Sequence, residues 1–446
     1  MRRIAAGLVV LGMLGVLGGS GGLGCAGLGP GGERGAGDRF TIAMIPDTQN
    51  YTDYTHQKAE GFAIDAAALY LEQLGWVAEN ARSRGGDIVF VASVGDTWQH
   101  PSKWMDPAHE AIGHARVANP YFDAHFTPSE KVARIEIPTA IAGYRLIADA
   151  GLPFGIPPGN HDYDAMYNVA SHPPDLSKPP QAITFTVEDL GLLHVGGLEG
   201  FVGAFGADSD FFSGKPWYVA AYGGGTSSAQ VFEAGGYRFL HLAIEMQAGD
   251  DVLAWARDVI AAHPGLPTIV STHDYLSPKA TRIEGGFLDF TLAHAEHNTP
   301  QQMFEKLIAV ESQIFLVLCG HYHGQAYLRE DDAAGFEVHT VLADYQDRGQ
   351  VGLDAGQPRD PLRGGPVGIG DGWLRLLEFD TTTDPPTIAM RTYSTHYGKH
   401  ASEMPDYVAW YRDHEQAGMS DAAFLAAEEY EIVLTDFTER FGAPSP

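Results

Sequence analysis

Apolar positions recur along the chain in two rhythms. Phe40 to Ile45 is a short apolar run, Gln57 to Arg82 spaces Phe62, Leu69, Leu71, Leu74, Trp76 and Val77 over successive helical turns, and Asp87 to Val94 is again nearly continuous. Gly85-Gly86 separates the last two, so the order strand, helix, strand predicts a βαβ start to an α/β fold. Residues 101–152 break this rhythm with Pro101, Pro107, Pro120, Pro128 and Pro138 and read as an insertion of helical segments and loops. A short strand near 152–156 follows, and residues 172–180 form a proline-rich excursion. Further strands are expected near 216–222, 237–246, 267–272, 314–319, 325–329 and 337–343, with helices near 250–262 and 300–311. Trp373 to Phe379 and Thr387 to Tyr393 predict a hairpin. With no internal repeat, residues 38–446 read as one domain carrying an insertion at about 101–152.

The first residues differ from all of this. Arg2-Arg3, an apolar run from Ile4 to Leu17 and the small residues 18–24 read as a signal peptide over 1–24, and the glycine-rich residues 25–37 as a flexible tether. This predicts a secreted or periplasmic protein without a transmembrane segment in the mature chain. Leu23-Gly24-Cys25 also resembles a bacterial lipobox, which would place a lipid anchor on Cys25 and the protein at an outer membrane or cell surface. The other cysteine, Cys319, reads as a small buried hydrophobe, so a disulfide framework is excluded.

Charge narrows the function. Lys and Arg number 28 against 57 Asp and Glu, a net charge of −29, which excludes extended nucleic acid as a partner unless a local cation overrides the field. Such a cation is what the strand ends offer. Five apolar runs end in Asp47-Thr48-Gln49, Gly95-Asp96, Gly159-Asn160-His161-Asp162, Thr272-His273-Asp274 and Gly320-His321-Tyr322-His323. Loops beyond strand carboxyl ends converge on one crevice in open α/β sheets, and carboxylate, amide oxygen and imidazole suit divalent Zn, Mn or Fe. A Ser-His-Asp hydrolase is disfavoured, because no Gly-x-Ser-x-Gly elbow occurs.

The set resembles the calcineurin-like metallophosphoesterases, whose pattern is Asp-x-His, Gly-Asp, Gly-Asn-His-Asp/Glu, a lone His and Gly-His-x-His, over about residues 39 to 345. The resemblance implies a four-layer α/β/β/α sandwich with two mixed β-sheets and a site for two divalent metal ions. By it, Asp96 bridges the ions, Asp47, Gln49 and His323 complete one, and Asn160, His273 and His321 complete the other. His161 stands outside the metals as the catalytic group, with Asp162 orienting its ring. Gln49 departs from the pattern, taking the place of a histidine. Its harder amide oxygen favours Mn or Fe, with Zn or Mg as alternatives. The implied activity is hydrolysis of a small phosphoester, diester slightly ahead of monoester, and the alternative is a secreted metal-binding protein with weak or no catalysis. Trp98, Gln99, His100, Tyr275 and Tyr345 are candidates for the rim, and Glu245 for orienting a metal-bound histidine. Oligomeric state is left open.

Overall fold

A computed structural model describes residues 39–123, 126–179, 182–184, 186–284, 286–358 and 367–444. The expected signal peptide, tether and Cys25 lie outside the described residues. The apolar runs become two seven-stranded sheets. In the first, Arg39–Ile45 lies between Ile88–Ser93, parallel to it, and Trp373–Asp380, antiparallel to it. Phe154–Gly155 extends the parallel side, and Thr387–Ser394, Lys399–His400 and Tyr430–Val433 extend the antiparallel side. In the second, Tyr237–Ala243, Thr268–Ser271, Ile314–Cys319 and Glu337–Asp344 run parallel. Gly324–Asp331 flanks them antiparallel on one side, and Ser227–Ala234 then Tyr218–Tyr222 on the other. Both sheets are therefore mixed.

The inner faces of the two sheets supply one core. Phe40 stacks on Phe379 at 4.6 Å between ring centres, Phe90 on Phe232 at 4.4 Å, and Phe239 and Phe315 fill the space between. The outer face of the first sheet is covered by the helices Ala66–Glu79 and Ile137–Asp149. Ala66–Glu79 buries Ala66, Leu69, Tyr70, Gln73, Leu74, Val77 and Ala78, a single 3.6-residue stripe. Asp250–Ala262 covers the second sheet through Val252, Leu253, Ala256, Val259 and Ile260. Helix, sheet, sheet, helix is the four-layer sandwich the sequence implies.

Several boundaries moved. The long helical spacing from Gln57 opens with a single 3₁₀ turn, Lys58–Glu60, and the helix starts only at Ala66, because Asp65 accepts a hydrogen bond from the Lys58 backbone and Gln57 donates to the Tyr51 and Asp53 carbonyls. The strand Ser227–Ala234 was hidden by its polar residues. Ser228 and Gln230 are buried, and Gln230 is paired with His241 of the neighbouring strand. A third, three-stranded sheet of Arg116–Val117, Ala165–Val169 and Leu193–Gly196 also escaped the pattern. The chain beyond residue 345 is integral to the sandwich. Arg348, 1% exposed, is paired with Glu428 and Glu415, and Arg375 donates to the Ala427 and Glu428 carbonyls and to Gln325.

Candidate metal centre

The parallel strands of both sheets present their carboxyl ends to the same place. Asp47 follows Arg39–Ile45, Asp96 follows Ile88–Ser93, His273 follows Thr268–Ser271 and His321 follows Ile314–Cys319. The sheets are joined there by a hydrogen bond of 2.8 Å from His273 Nδ1 to the Val94 carbonyl. That bond fixes the ring and turns Nε2 toward Asp96 Oδ2 and Asn160 Oδ1, each at 3.1 Å.

Backbone amides set the remaining members. His161 N donates to Asp96 Oδ1 at 2.9 Å, His321 N donates to Asp47 Oδ2 at 3.0 Å, and Gln49 Nε2 lies 3.3 Å from Asp96 Oδ2. Ligand atoms of Asp96, His273 and His321 lie within 4.8 Å of one another. Two glycines make this approach possible. A Cβ on Gly320 would sit 2.0 Å from Asp47 Oδ1, and one on Gly159 2.2 Å from Asp96 Oδ1. Asp96 and His321 take left-handed backbone conformations, φ +52° and +70°, a cost of roughly 1 kcal/mol or more each that the surrounding contacts sustain.

Electrostatically the pocket is unbalanced without a cation. Burial raises the Asp47 carboxyl well above its ordinary range, and the neighbouring Asp344 and Asp96 raise it further. Burial also opposes ionisation of Asp96, but His273 and His161 outweigh it and hold this group low. Among the described residues, Asp47 Oδ1 and Gln49 Oε1 are buried without a hydrogen-bond partner. Buried oxygens of this kind are costly unless something positive meets them. Carboxylate, amide oxygen and imidazole therefore fit divalent cations here.

The predicted residues do not all sit alike. Asp47, Gln49, Asp96, Asn160, His273 and His321 form one linked set. His323 lies on its flank, half-exposed, with Nδ1 paired to Asp347 Oδ2. The pairing expected between His161 and Asp162 is not formed. His161 Nδ1 donates to the Gln99 carbonyl at 2.6 Å, and Asp162 accepts from Thr97 N and Gly159 N, both at 2.8 Å. Asp162 thus clamps the Gly-Asp loop to the Gly-Asn-His loop, and a main-chain oxygen orients the histidine. Burial, reinforced by Asp96, raises Asp162 to about 7.

The rim expectations are also corrected. Trp98 is buried on Phe205, Tyr345 bonds Thr392 in the core, and Tyr275 is buried beside Leu276. His100 pairs with Glu136, which also accepts from the backbone of Tyr54, Gln99 and His100. Glu245 is held near Ser227, whose hydroxyl accepts from its backbone N–H. Residues that do border the pocket were not anticipated. Phe126 lies 5.6 Å from the His161 ring, and a cavity of about 140 Å³ beside His321 and Tyr322 is lined by Ile283, Phe287, Leu288, Gln247 and Asp274.

Five ordered motifs meet at one edge of a double-sheet sandwich, with acids and imidazoles gathered in a buried cluster. The arrangement resembles the motif pattern and double-sheet layering of the calcineurin-like metallophosphoesterases. No family model matches the chain. An uncharacterized protein, YvnB of Bacillus subtilis (strain 168), is 26% identical over 253 residues, which is 55% of this chain and 14% of that much longer protein. Among solved structures, a dimetal phosphatase from Danio rerio aligns with TM-score 0.38 and 12% identity over 80% of this chain and 96% of its own. GAP50, described as the anchor in the inner membrane complex of Plasmodium, aligns with TM-score 0.35 and 10% identity over 81% and 87%. A hypothetical protein from Thermus thermophilus aligns with TM-score 0.34 and 11% identity over 79% and 98%. At these scores the likenesses are distant, and the metallophosphoesterase reading stands on the motifs and their geometry.

Proposed function

We propose that this chain is a metal-dependent phosphoesterase that hydrolyses a small phosphodiester in preference to a monoester. The observation that carries the reading is the union of Asp47, Asp96, Asn160, His273 and His321 in one buried pocket, where the Asp96 carboxylate also holds the backbone of His161. Asp96 would bridge two divalent ions, with Asp47, Gln49 and His323 on one and Asn160, His273 and His321 on the other. Such a pair supplies Lewis-acid stabilisation of the phosphoryl oxygens and a nucleophile at neutral pH. Gln49 in place of imidazole favours Mn or Fe over Zn.

The chain's own groups then do the rest. His161, with Nδ1–H spent on the Gln99 carbonyl, has Nε2 as its remaining group for a phosphoryl oxygen or for delivering a proton to the leaving oxygen. Phe126 shields one side of that ring. The cavity beside His321 offers Ile283, Phe287, Leu288 and Tyr322 to an organic ester group, which supports an ester of an apolar alcohol over free phosphate. Bound cations reverse the local field, so an anionic substrate can approach despite the net charge of −29.

The proposal includes export, since Arg2-Arg3 and the apolar run after them have signal-peptide form, with lipidation at Cys25 as the alternative anchor. Among the described residues no helix is long and apolar enough to cross a membrane. The test is turnover of bis-(4-nitrophenyl) phosphate and 4-nitrophenyl phosphate by the purified chain after reconstitution with Mn²⁺, Fe²⁺, Zn²⁺ or Mg²⁺. Diester turnover that disappears in Asp96→Asn and falls about 10²–10⁴-fold in His161→Ala with metal retained is expected. A fully metallated chain inert on both esters would replace this reading with that of a metal-binding protein.

A further inference from the structure

A second cluster of imidazoles lies away from the pocket, and none of its members belongs to the five strand-end motifs. His109 is in the short helix Pro107–Ala111, His114 in the turn after it, His194 on the strand Leu193–Gly196 of the three-stranded sheet, and His294 just beyond the 3₁₀ turn Phe290–Leu292. The six distances between their ring centres are 5.1 Å (109–114), 5.0 Å (109–194), 4.8 Å (109–294), 5.4 Å (114–194), 4.7 Å (114–294) and 4.9 Å (194–294). Six nearly equal edges describe a tetrahedron. With a metal–nitrogen bond of about 2.0–2.1 Å, a bound imidazole has its ring centre roughly 3.2 Å from the ion, so four rings around a tetrahedral ion stand roughly 5.2 Å apart.

The polar partners of the rings point the same way. Three rings have an oxygen beside Nδ1: His114 is hydrogen-bonded to the Tyr167 hydroxyl at 3.2 Å, while His109 lies 2.5 Å from Asp106 Oδ2 without a hydrogen bond and His294 lies 3.4 Å from Glu296 Oε1. An Nδ1 engaged by a carboxylate or hydroxyl, with Nε2 left for the ion, is the support that metal-bound histidines receive. Among the described residues, His294 Nε2 is buried with no hydrogen-bond partner, and His194, 1% exposed, has none at either ring nitrogen. Compare His241, equally buried, whose nitrogens are met at 2.7 Å by Gln230 Oε1 and at 2.8 Å by Ser271 Oγ. Ligand nitrogens of His109, His194 and His294 already lie within 4.8 Å of one another.

We propose that His109, His114, His194 and His294 form a structural metal site for one tetrahedral divalent ion, Zn²⁺ because it accepts imidazole donors in tetrahedral four-coordination, separate from the strand-end pocket. The ion staples three excursions from the sandwich: the helix at 107–111, the small sheet and the segment at 286–294. Its effect reaches the pocket through packing. Phe290 lies 5.3 Å from His194, while Phe287 stacks on Phe122, which touches Phe126 against His161. The inference depends on these residues alone and not on the phosphoesterase reading.

Cobalt substitution tests it. The full wild-type chain, stripped and titrated with Co²⁺, is expected to develop the intense visible ligand-field bands of a tetrahedral ion, and Zn²⁺ is expected to displace them. Metal content after Zn²⁺ loading should fall by one ion per chain in His194→Phe and in His294→Gln, while Asp96→Asn retains the tetrahedral band. Wild-type chain lacking that band overturns the proposal whatever the variants do, and so does a folded His194→Phe or His294→Gln chain with the wild-type metal count. Loss of turnover in Asp96→Asn with the band intact separates the two sites.

Discussion

The strand-end pocket and the histidine cage differ in what holds their side chains. In the pocket three of the predicted ligands are fixed by the backbone of another loop: His273 by the Val94 carbonyl, Asp47 by His321 N, Asp96 by His161 N. In the cage the rings lie beside neighbouring side chains, and among the described residues His194, the Nδ1 of His109 and the Nε2 of His294 have no hydrogen-bond partner. The pocket sits where sheet hydrogen bonding places it, and it is preformed. The cage draws its rings from the small sheet, the segment leading into it and the segment at 286–294, and under the proposal the ion adds to the order that this sheet gives them.

This contrast makes measurable predictions. The largest effect is expected for Asp96→Asn. It removes one carboxylate charge shared by His273 and the His161 backbone, so pocket metal and diester turnover should be lost together, by at least about 10³-fold in kcat/KM. Steady-state kinetics with metal analysis checks this, and substantial activity in the variant would remove Asp96 from the centre of the mechanism.

Gly320→Ala comes next. Its Cβ would lie 2.0 Å from Asp47 Oδ1 and 2.7 Å from Val94 Cγ2, so Asp47 must move and metal affinity at the pocket should drop. Overpacking of this kind costs about 1–3 kcal/mol. Urea melts and Mn²⁺ titrations should both register it, whereas the Co²⁺ spectrum assigned to the cage should not change.

His194→Phe should lower Tm of the Zn²⁺-loaded chain by several degrees and affect the metal-stripped chain less, because the ion is what binds the cage together. An equal drop in both forms would make His194 a packing residue only.

The smallest effect concerns pH. Burial holds His241 neutral and lowers it to about 3, against an ordinary value of 6.5. A base whose folded pKa is depressed contributes its stability above 6.5 and loses it as pH falls, because the unfolded chain takes up the proton. Between pH 7 and pH 5 this group should account for about 2 kcal/mol of lost stability. His241→Gln should flatten the pH dependence by that amount in denaturant melts, and unchanged pH dependence would show that the ring is protonated in place.

The pocket was legible because each of its residues follows an apolar run. Val89 to Val94 announces a buried strand, and Gly95-Asp96 follows it directly; the same holds for Ile314 to Cys319 and Gly320-His321. What such a reading misjudged were partnerships at close range in space but not in sequence. Asp162 is beside His161 in the chain yet bonds Thr97, and the carbonyl that orients His161 belongs to Gln99, a residue expected at the rim. The C-terminal segment, left outside the resemblance, closes on the core through Arg348 and Glu428.

The amino-acid order by itself determined the strands, their carboxyl-end loops and the chemistry of the ligands, since burial of apolar runs is a local property that periodicity records. Only the tertiary structure decided which carboxylate meets which imidazole, and it alone assembled His109, His114, His194 and His294 into a tetrahedron. Their spacings along the chain follow no rule, because they come from a helix, a turn, a sheet and a loop whose only relation is the packing that brings them together.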